Sequence, residues 1–165
     1  MFTTRACPQT SPGTVSNLPT TVRQATVADL ELLVPLFDGY RQFHRQPSET
    51  HRIRQFLLDR FEHNQSVIFI ALADDTPIGF TQIYPSFSSA ALARIFVLND
   101  LFVLPSARRL GVGAALLSAA AAYARQVRAL RLVLSTEHTN STAQALYEKL
   151  GWKQNTDFLT YQLLL

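Results

Sequence analysis

The chain has 165 residues, a length that fits one domain able to bury a core of its own. Hydrophobic residues make up 47% and charged residues 16%, the balance of a globular protein, and no apolar run reaches the about 18 residues that a membrane helix needs. The formal net charge of +3 comes from scattered basic residues with no dense stripe interleaved with aromatics, which argues against nucleic-acid binding and suits an anionic small molecule equally well.

Residues 1–20 are rich in Thr, Pro, Ser and Gly without periodicity and predict a flexible tail, leaving 21–165 as the folded domain. Cys7, the sole cysteine, falls in that tail, so no intramolecular disulfide is available and a cytoplasmic setting is expected. No basic segment followed by an apolar core marks a secretory leader. Residues 22–25 predict a first strand, and Thr26 with Asp29 three residues on predicts a capped helix start. Leu30, Leu33, Phe37 and Tyr40 recur at helical spacing, with Pro35 expected to kink or break the helix. Past Gln46-Pro47, Ser48 is a second expected cap, and Ile53, Phe56, Leu57 and Phe61 form the apolar face of a second helix. Residues 67–72 and 78–84 predict strands about a turn at 74–77, and residues 85–89 are expected to interrupt the later strand. Residues 92–104 form one long apolar run with polar Asn99-Asp100 in its middle, where a bulge or splay is predicted. The next helix carries Val112, Ala115, Leu116, Ala119, Tyr123 and Val127 on one side, its alanines allowing close packing on a sheet. Residues 130–135 predict a strand, 140–150 a helix, and 152–164 two closing strands with a turn near Asn155-Thr156-Asp157. This order predicts an α/β (α+β) fold with a mixed central sheet of about seven strands flanked by four helices.

The most informative stretch runs from Asn99 to Tyr123. An apolar run ends at Leu104-Pro105, and the turn Arg108-Arg109-Leu110-Gly111-Val112-Gly113 opens the alanine-rich helix. Amides at a helix start have no partner inside the helix and the dipole adds positive character there, so such a turn can hold phosphate. Neighbouring arginines strengthen this reading, since guanidinium binds phosphate oxygens in a fork. A P-loop needs Gly-Lys-Ser/Thr, but Gly113 is followed by Ala114-Ala115, and the Rossmann pattern lacks its third glycine and acidic partner. What remains, Val103-x-Pro105-x-x-Arg108-x-x-Gly111-x-Gly113, resembles the coenzyme A signature of the GNAT superfamily of acyl-CoA-dependent N-acyltransferases. A second stretch, Asn140 to Trp152, resembles that family's N-x-x-A-x-x-L-Y-x-x-x-G-F/W motif, with every fixed position filled.

The resemblance implies a GNAT-like fold and an N-acetyltransferase that moves the acetyl group of acetyl-CoA directly to a primary amine in a ternary complex. It implies that the amides of Arg108, Arg109, Leu110, Gly111, Val112 and Gly113 hold the CoA pyrophosphate. The backbone of Leu101, Phe102 and Val103 would serve the pantetheine and the thioester carbonyl, with Asn140 as a helix cap that also meets the pantetheine. The resemblance gives the Tyr147 hydroxyl the role of proton donor to the departing sulfur; a core tyrosine with a satisfied hydroxyl is the other reading. Asp100, the one carboxylate of the central strand stretch, is the candidate base, or a carboxylate that fixes the bulge; Asn99 could hold a water, and Glu137 and His138 are alternatives. Arg108 contributes backbone as well as side chain, and Arg109 reads as solvent-facing. Tyr40, His44, Tyr84 and Phe87 are candidates for the acceptor pocket, their aromatic faces suiting an amine. No metal is expected, because the four histidines are dispersed and lack cysteine partners. A non-catalytic acyl-CoA-binding module and a basic nucleic-acid-binding domain are the rival functions. The apolar end Leu163-Leu164-Leu165 offers an edge for a homodimer.

Overall fold

Alternation along residues 67–103 dictates the centre of the molecule, because those strands carry apolar side chains to both faces and must be covered on both. The computed structural model describes residues 19–165. The predicted tail and Cys7 therefore lie outside the described residues but for its last two positions, and β1 opens at Thr20. The elements in order are β1 (Thr20–Gln24), α1 (Leu30–Phe43), α2 (Thr50–Glu62), β2 (Val67–Ala73), β3 (Thr76–Ser88), β4 (Ala93–Val103), α3 (Val112–Gln126), β5 (Leu132–Leu134) and α4 (Ser141–Lys149). The five strands form one sheet in chain order, antiparallel from β1 to β4, with β5 added parallel to β4.

One face of the sheet packs Ile68, Ile70, Leu72, Phe80 and Phe102 against Leu33, Leu36 and Phe37 of α1 and Ile53 and Leu57 of α2. The other face packs Phe69, Ala71, Ile83, Phe96 and Leu98 against α3. The buried stripe of α3 is Val112, Leu116, Leu117, Ala120 and Ala124, with Ala119, Tyr123 and Val127 only partly covered. That stripe is turned slightly from the predicted one, and its small residues let the helix axis approach the sheet.

Asp29 ties the first strand to the first helix. Its carboxylate accepts the Thr26 amide at 2.8 Å and both Arg23 guanidinium nitrogens at 2.6 and 2.8 Å. The Arg23 bonds hold its pKa down to about 2 despite burial, with the Thr26 amide adding to the effect. Asp29→Ala is expected to cost about 2 kcal/mol in denaturant unfolding at neutral pH. A depressed carboxylate stabilises the fold above its unfolded pKa of about 4. The difference from wild type should therefore close as pH falls through about 2.

Several local expectations give way to tertiary context. Pro35 is exposed inside α1, which runs unbroken past it. Ser48 does not cap α2; its hydroxyl donates to Asp38 at 2.9 Å, and Glu49 takes the cap position. Residues 85–88 do not interrupt β3, which pairs with β4 as far as Ser88. Beyond Ile83 the strand has β4 as its one neighbour, so Pro85 lies at a sheet edge where a missing donor is tolerated.

Among the described residues the sheet has five strands rather than about seven, and residues 152–165 form none. The predicted turn is present, with the Asp157 amide donating to Asn155 Oδ1 at 3.0 Å. The residues meant to pair across it are open to solvent: Phe158, Leu159, Tyr161, Leu163 and Leu164 are 79–87% exposed. An alternating segment becomes a strand only against an edge, and a lone two-stranded ribbon is marginal in water.

Candidate functional site

A one-residue bulge decides which side of the sheet the central carboxylate faces. Gln82 pairs with Asp100 and Ile83 with Leu98, so Asn99 has no opposite residue. Before the bulge, Phe96 and Leu98 face α3; after it, Phe102 faces α1 and α2. Since side chains alternate with period two, the extra residue turns Asp100 from the α3 side to the α1–α2 side. Buried Thr81 pins the bulge, its hydroxyl donating to the Asp100 carbonyl at 2.8 Å.

Asp100 is 4% exposed. Asn99 Nδ2 donates to its Oδ1 at 3.4 Å, while Oδ2 has no hydrogen-bond partner among the described residues. Burial raises its pKa above the ordinary carboxylate range; the nearby Tyr40 hydroxyl, Asn99 and the field of His44 pull partly the other way. A cleft of about 280 Å³ opens beside it, with Phe37, Tyr40, Phe56 and Tyr84 as aromatic walls and Arg41 and Arg52 beyond them. Burial and the Asp100 charge push the Tyr84 phenol up to about 12. The same two causes raise Tyr40 further, with its hydroxyl's interaction with the Asp100 carboxylate next and smaller contributions from Tyr84 and Tyr147. Of the four predicted acceptor-pocket residues, Tyr40 and Tyr84 line this cleft. His44 stacks edge-on against Tyr40 at 4.7 Å, behind the wall. Phe87 is away from it, exposed on β3 and facing the Arg94 guanidinium at 5.6 Å. Sequence reasoning missed Arg41 and Arg52. Glu49 joins them, and its spacing to Arg52, three residues along one helix, was the available signal.

On the other side of Asp100 the sheet splits. β5 pairs with β4 only at Phe96, Val97 and Leu98. From Asn99 to Val103, β4 has β3 on one edge and, among the described residues, no strand on the other, so Leu101, Phe102 and Val103 border a gap. Tyr147 on α4 is partly buried against the same core cluster that Leu101, Val103 and Leu146 pack on. Its position is set by the end of its helix. Gly151 at φ +84° donates to the Glu148 carbonyl at 2.9 Å, and Trp152 donates to the Tyr147 carbonyl at 3.0 Å. This left-handed termination folds the Trp152 ring to 6.1 Å from the Tyr147 ring. Burial raises the Tyr147 phenol, so it keeps its proton at neutral pH.

The glycine turn stands at the start of α3. Gly111 adopts φ +83° with nothing within 4 Å of where a Cβ would be, so backbone conformation and an open approach require glycine there. A Cβ on Gly113 would meet Leu146 at 3.3 Å, which fixes α3 against α4. Ala115 is the first residue to bond back into the helix, to the Gly111 carbonyl at 3.0 Å. The Val112, Gly113 and Ala114 amides precede it and point out of the helix end. Arg108, though exposed, folds back on the chain, donating from Nε to the Val103 carbonyl at 3.1 Å with its guanidinium 5.5 Å from the Phe43 ring. Arg109 and Leu110 are exposed. Asn140 caps α4, accepting the Ala143 amide at 3.3 Å. Glu137 and His138 are exposed, and their carbonyls accept Gln144 Nε2 at 3.0 Å each. Their loop therefore braces the helix cap.

Comparison with known proteins matches this arrangement to one family. The model of the Acetyltransferase (GNAT) family matches residues 32–152. The chain is 49% identical, over 86% of its length and 95% of the relative's, to a Bacillus subtilis (strain 168) protein described as uncharacterized N-acetyltransferase YhfO. It is 42% identical to a probable acetyltransferase of known crystal structure, with a TM-score of 0.84 over 88% of this chain and 97% of that one. A likeness of fold extends to the aminoglycoside N-acetyltransferase AAC(6')-Iy in complex with CoA. That structure is 21% identical, with a TM-score of 0.74 over 90% of this chain and 97% of its own.

Proposed function

Because the chain belongs to the Acetyltransferase (GNAT) family and is an acyltransferase, we propose that it transfers acetyl from acetyl-CoA directly to a primary amine held with it in a ternary complex. The observation that carries this reading is the gap beside β4, with Asp100 on the cleft side and Tyr147 on the α4 side.

The glycine turn fits the anionic end of CoA, since the amides at the start of α3 stand beside a Gly111 with open space where a Cβ would be. Arg109 adds positive potential, while the Arg108 side chain is tied to the Val103 carbonyl. Leu101 to Val103 would offer backbone donors to the pantetheine and to the thioester oxygen as it takes up charge. Asn140 holds the start of α4 and so the height of Tyr147.

An aliphatic amine of pKa about 10.4 arrives almost wholly protonated at neutral pH. Asp100, buried, raised and with Oδ2 unpartnered, is the group positioned to take that proton. As the new C–N bond forms and the C–S bond breaks, the Tyr147 hydroxyl gives its proton to the leaving sulfur. A binding module would have no use for a buried carboxylate kept free beside the gap. The test is CoA-thiol release across polyamines, aminoglycosides, amino acids and lysine peptides, with both substrates varied for the best acceptor. Intersecting initial-rate lines support a ternary complex and parallel lines overturn it. Tight acetyl-CoA binding with silence across the panel favours the binding module.

The exposed apolar residues 158–164 and the three-residue β5 support a homodimer in which this segment lies on a second copy. Sedimentation should give a dimer for the full chain, and Leu159→Asp with Tyr161→Asp a monomer; a wild-type monomer ends this proposal.

A further inference from the structure

Resting on the acyl-transfer reading above, we infer that the acceptor is a small amine that also carries a carboxylate, its ammonium facing Asp100 and its anionic end facing Arg41 and Arg52. The cleft carries charges of both signs, supplied by different elements. Asp100 is the one acid among its lining residues, and it is buried with a free Oδ2. Arg41 from α1 and Arg52 from α2 are the two cations. Glu49, which does not line the cleft, bridges them with one oxygen each, Oε2 to Arg41 at 2.6 Å and Oε1 to Arg52 at 2.5 Å. One carboxylate between two guanidiniums leaves a unit positive charge, held in place by its own ion pairs.

Most of the donors of that pair remain free. Arg41 uses one terminal nitrogen on Glu49 and the Pro47 carbonyl, and its buried Nε has no partner among the described residues. Arg52 uses one nitrogen on Glu49. A carboxylate is the planar acceptor that such a fork fits. Asp38, one turn before Arg41, is a further carboxylate near this pair; it lies outside the lining, its Oδ2 accepting from Gln42 and Ser48 and its Oδ1 buried without a partner among the described residues. Phe37, Ile53 and Phe56 of the same lining offer an apolar surface for a short carbon skeleton. A volume of about 280 Å³ suits a small molecule. A polyamine or aminoglycoside would bring a second ammonium against the arginines, where like charges repel.

The test uses the full chain with saturating acetyl-CoA and amines matched in length. Glycine, beta-alanine, gamma-aminobutyrate and phenylalanine are each run beside their carboxamides, and the linear ones also beside the corresponding diamines. At least one amino-carboxylate should exceed its carboxamide and diamine about tenfold in kcat/KM. In Arg41→Gln its KM should rise about tenfold and the preference over the carboxamide should fall to about twofold. Arg52→Gln, on an exposed side chain, repeats the test should Arg41→Gln disturb the α1–α2 junction. Carboxamides or diamines serving as well as the carboxylates would overturn the proposal while leaving acetyl transfer standing. If no amine releases CoA, calorimetric binding of the same compounds in the presence of CoA decides it. Amino-carboxylate binding weakened in Arg41→Gln supports the site even though transfer has failed, and no binding overturns it.

Discussion

Asp100→Asn is expected to lower turnover at least about a hundredfold, the range lost when a general base is removed. The substitution is close to isosteric, so the bulge at Asn99 and the Thr81 bond to the Asp100 carbonyl persist. What changes is the capacity to accept a proton from the attacking amine. Stability should move the opposite way, because wild type keeps a buried carboxylate with one oxygen unpartnered, which costs free energy at neutral pH. A group raised by burial favours its protonated form, so wild type gains on the variant as pH falls from the raised value toward about 4. The same shift sets the rate profile. Wild-type kcat/KM should fall on its acid side at a pH above the ordinary carboxylate range, and that limb should vanish in the variant. The competing role, a carboxylate that merely fixes the bulge, requires the reverse: lost stability with the rate preserved. Thermal unfolding and a pH–rate profile on the two proteins separate them.

What was legible in the sequence was whatever depends on neighbours along the chain. Polar Asn99-Asp100 inside an apolar run marked the bulge, because only an irregularity tolerates that pair in a central strand. Gly111 marked the turn that opens α3 and Gly151 the end of α4, and both have positive φ. Thr26 and Asp29 marked a helix start three residues apart. What depends on distant partners was not legible. Pro85 breaks a strand only where its missing donor faces a neighbour, and β2 stops short of it. Ser48 is a capping residue by type, yet Asp38 on another helix takes its hydroxyl. The closing strands had the right alternation and a correctly placed turn, but alternation does not supply the edge they need. Arg41 and Arg52 sit on separate helices, and nothing local says that Glu49 draws them together. Tyr147 was legible as a motif position, whereas its support was not. The Trp152 ring that the Gly151 turn folds against it appears only once α4 is seen to end there.

That support makes Tyr147→Phe a clean experiment, with turnover expected to fall about ten- to a hundredfold. The ring remains, so the contact with Trp152 and the packing against the core under α3 are kept, and melting temperature should stay close to wild type. The KM for acetyl-CoA should also stay near wild type, because the hydroxyl's proton is needed as the C–S bond breaks and adds nothing to holding the intact thioester. The loss is smaller than for Asp100 because a thiolate leaves without full protonation, its conjugate acid having a pKa of about 8.5. It also depends on pH in a defined direction. Burial holds the phenol above its ordinary value, so wild type keeps its donor throughout the neutral range and the wild-type-to-variant ratio should be flat there. A flat ratio near one would remove Tyr147 from the chemistry and leave it as part of the α4 packing. A raised KM with kcat unchanged would instead make it a binding contact for the pantetheine arm.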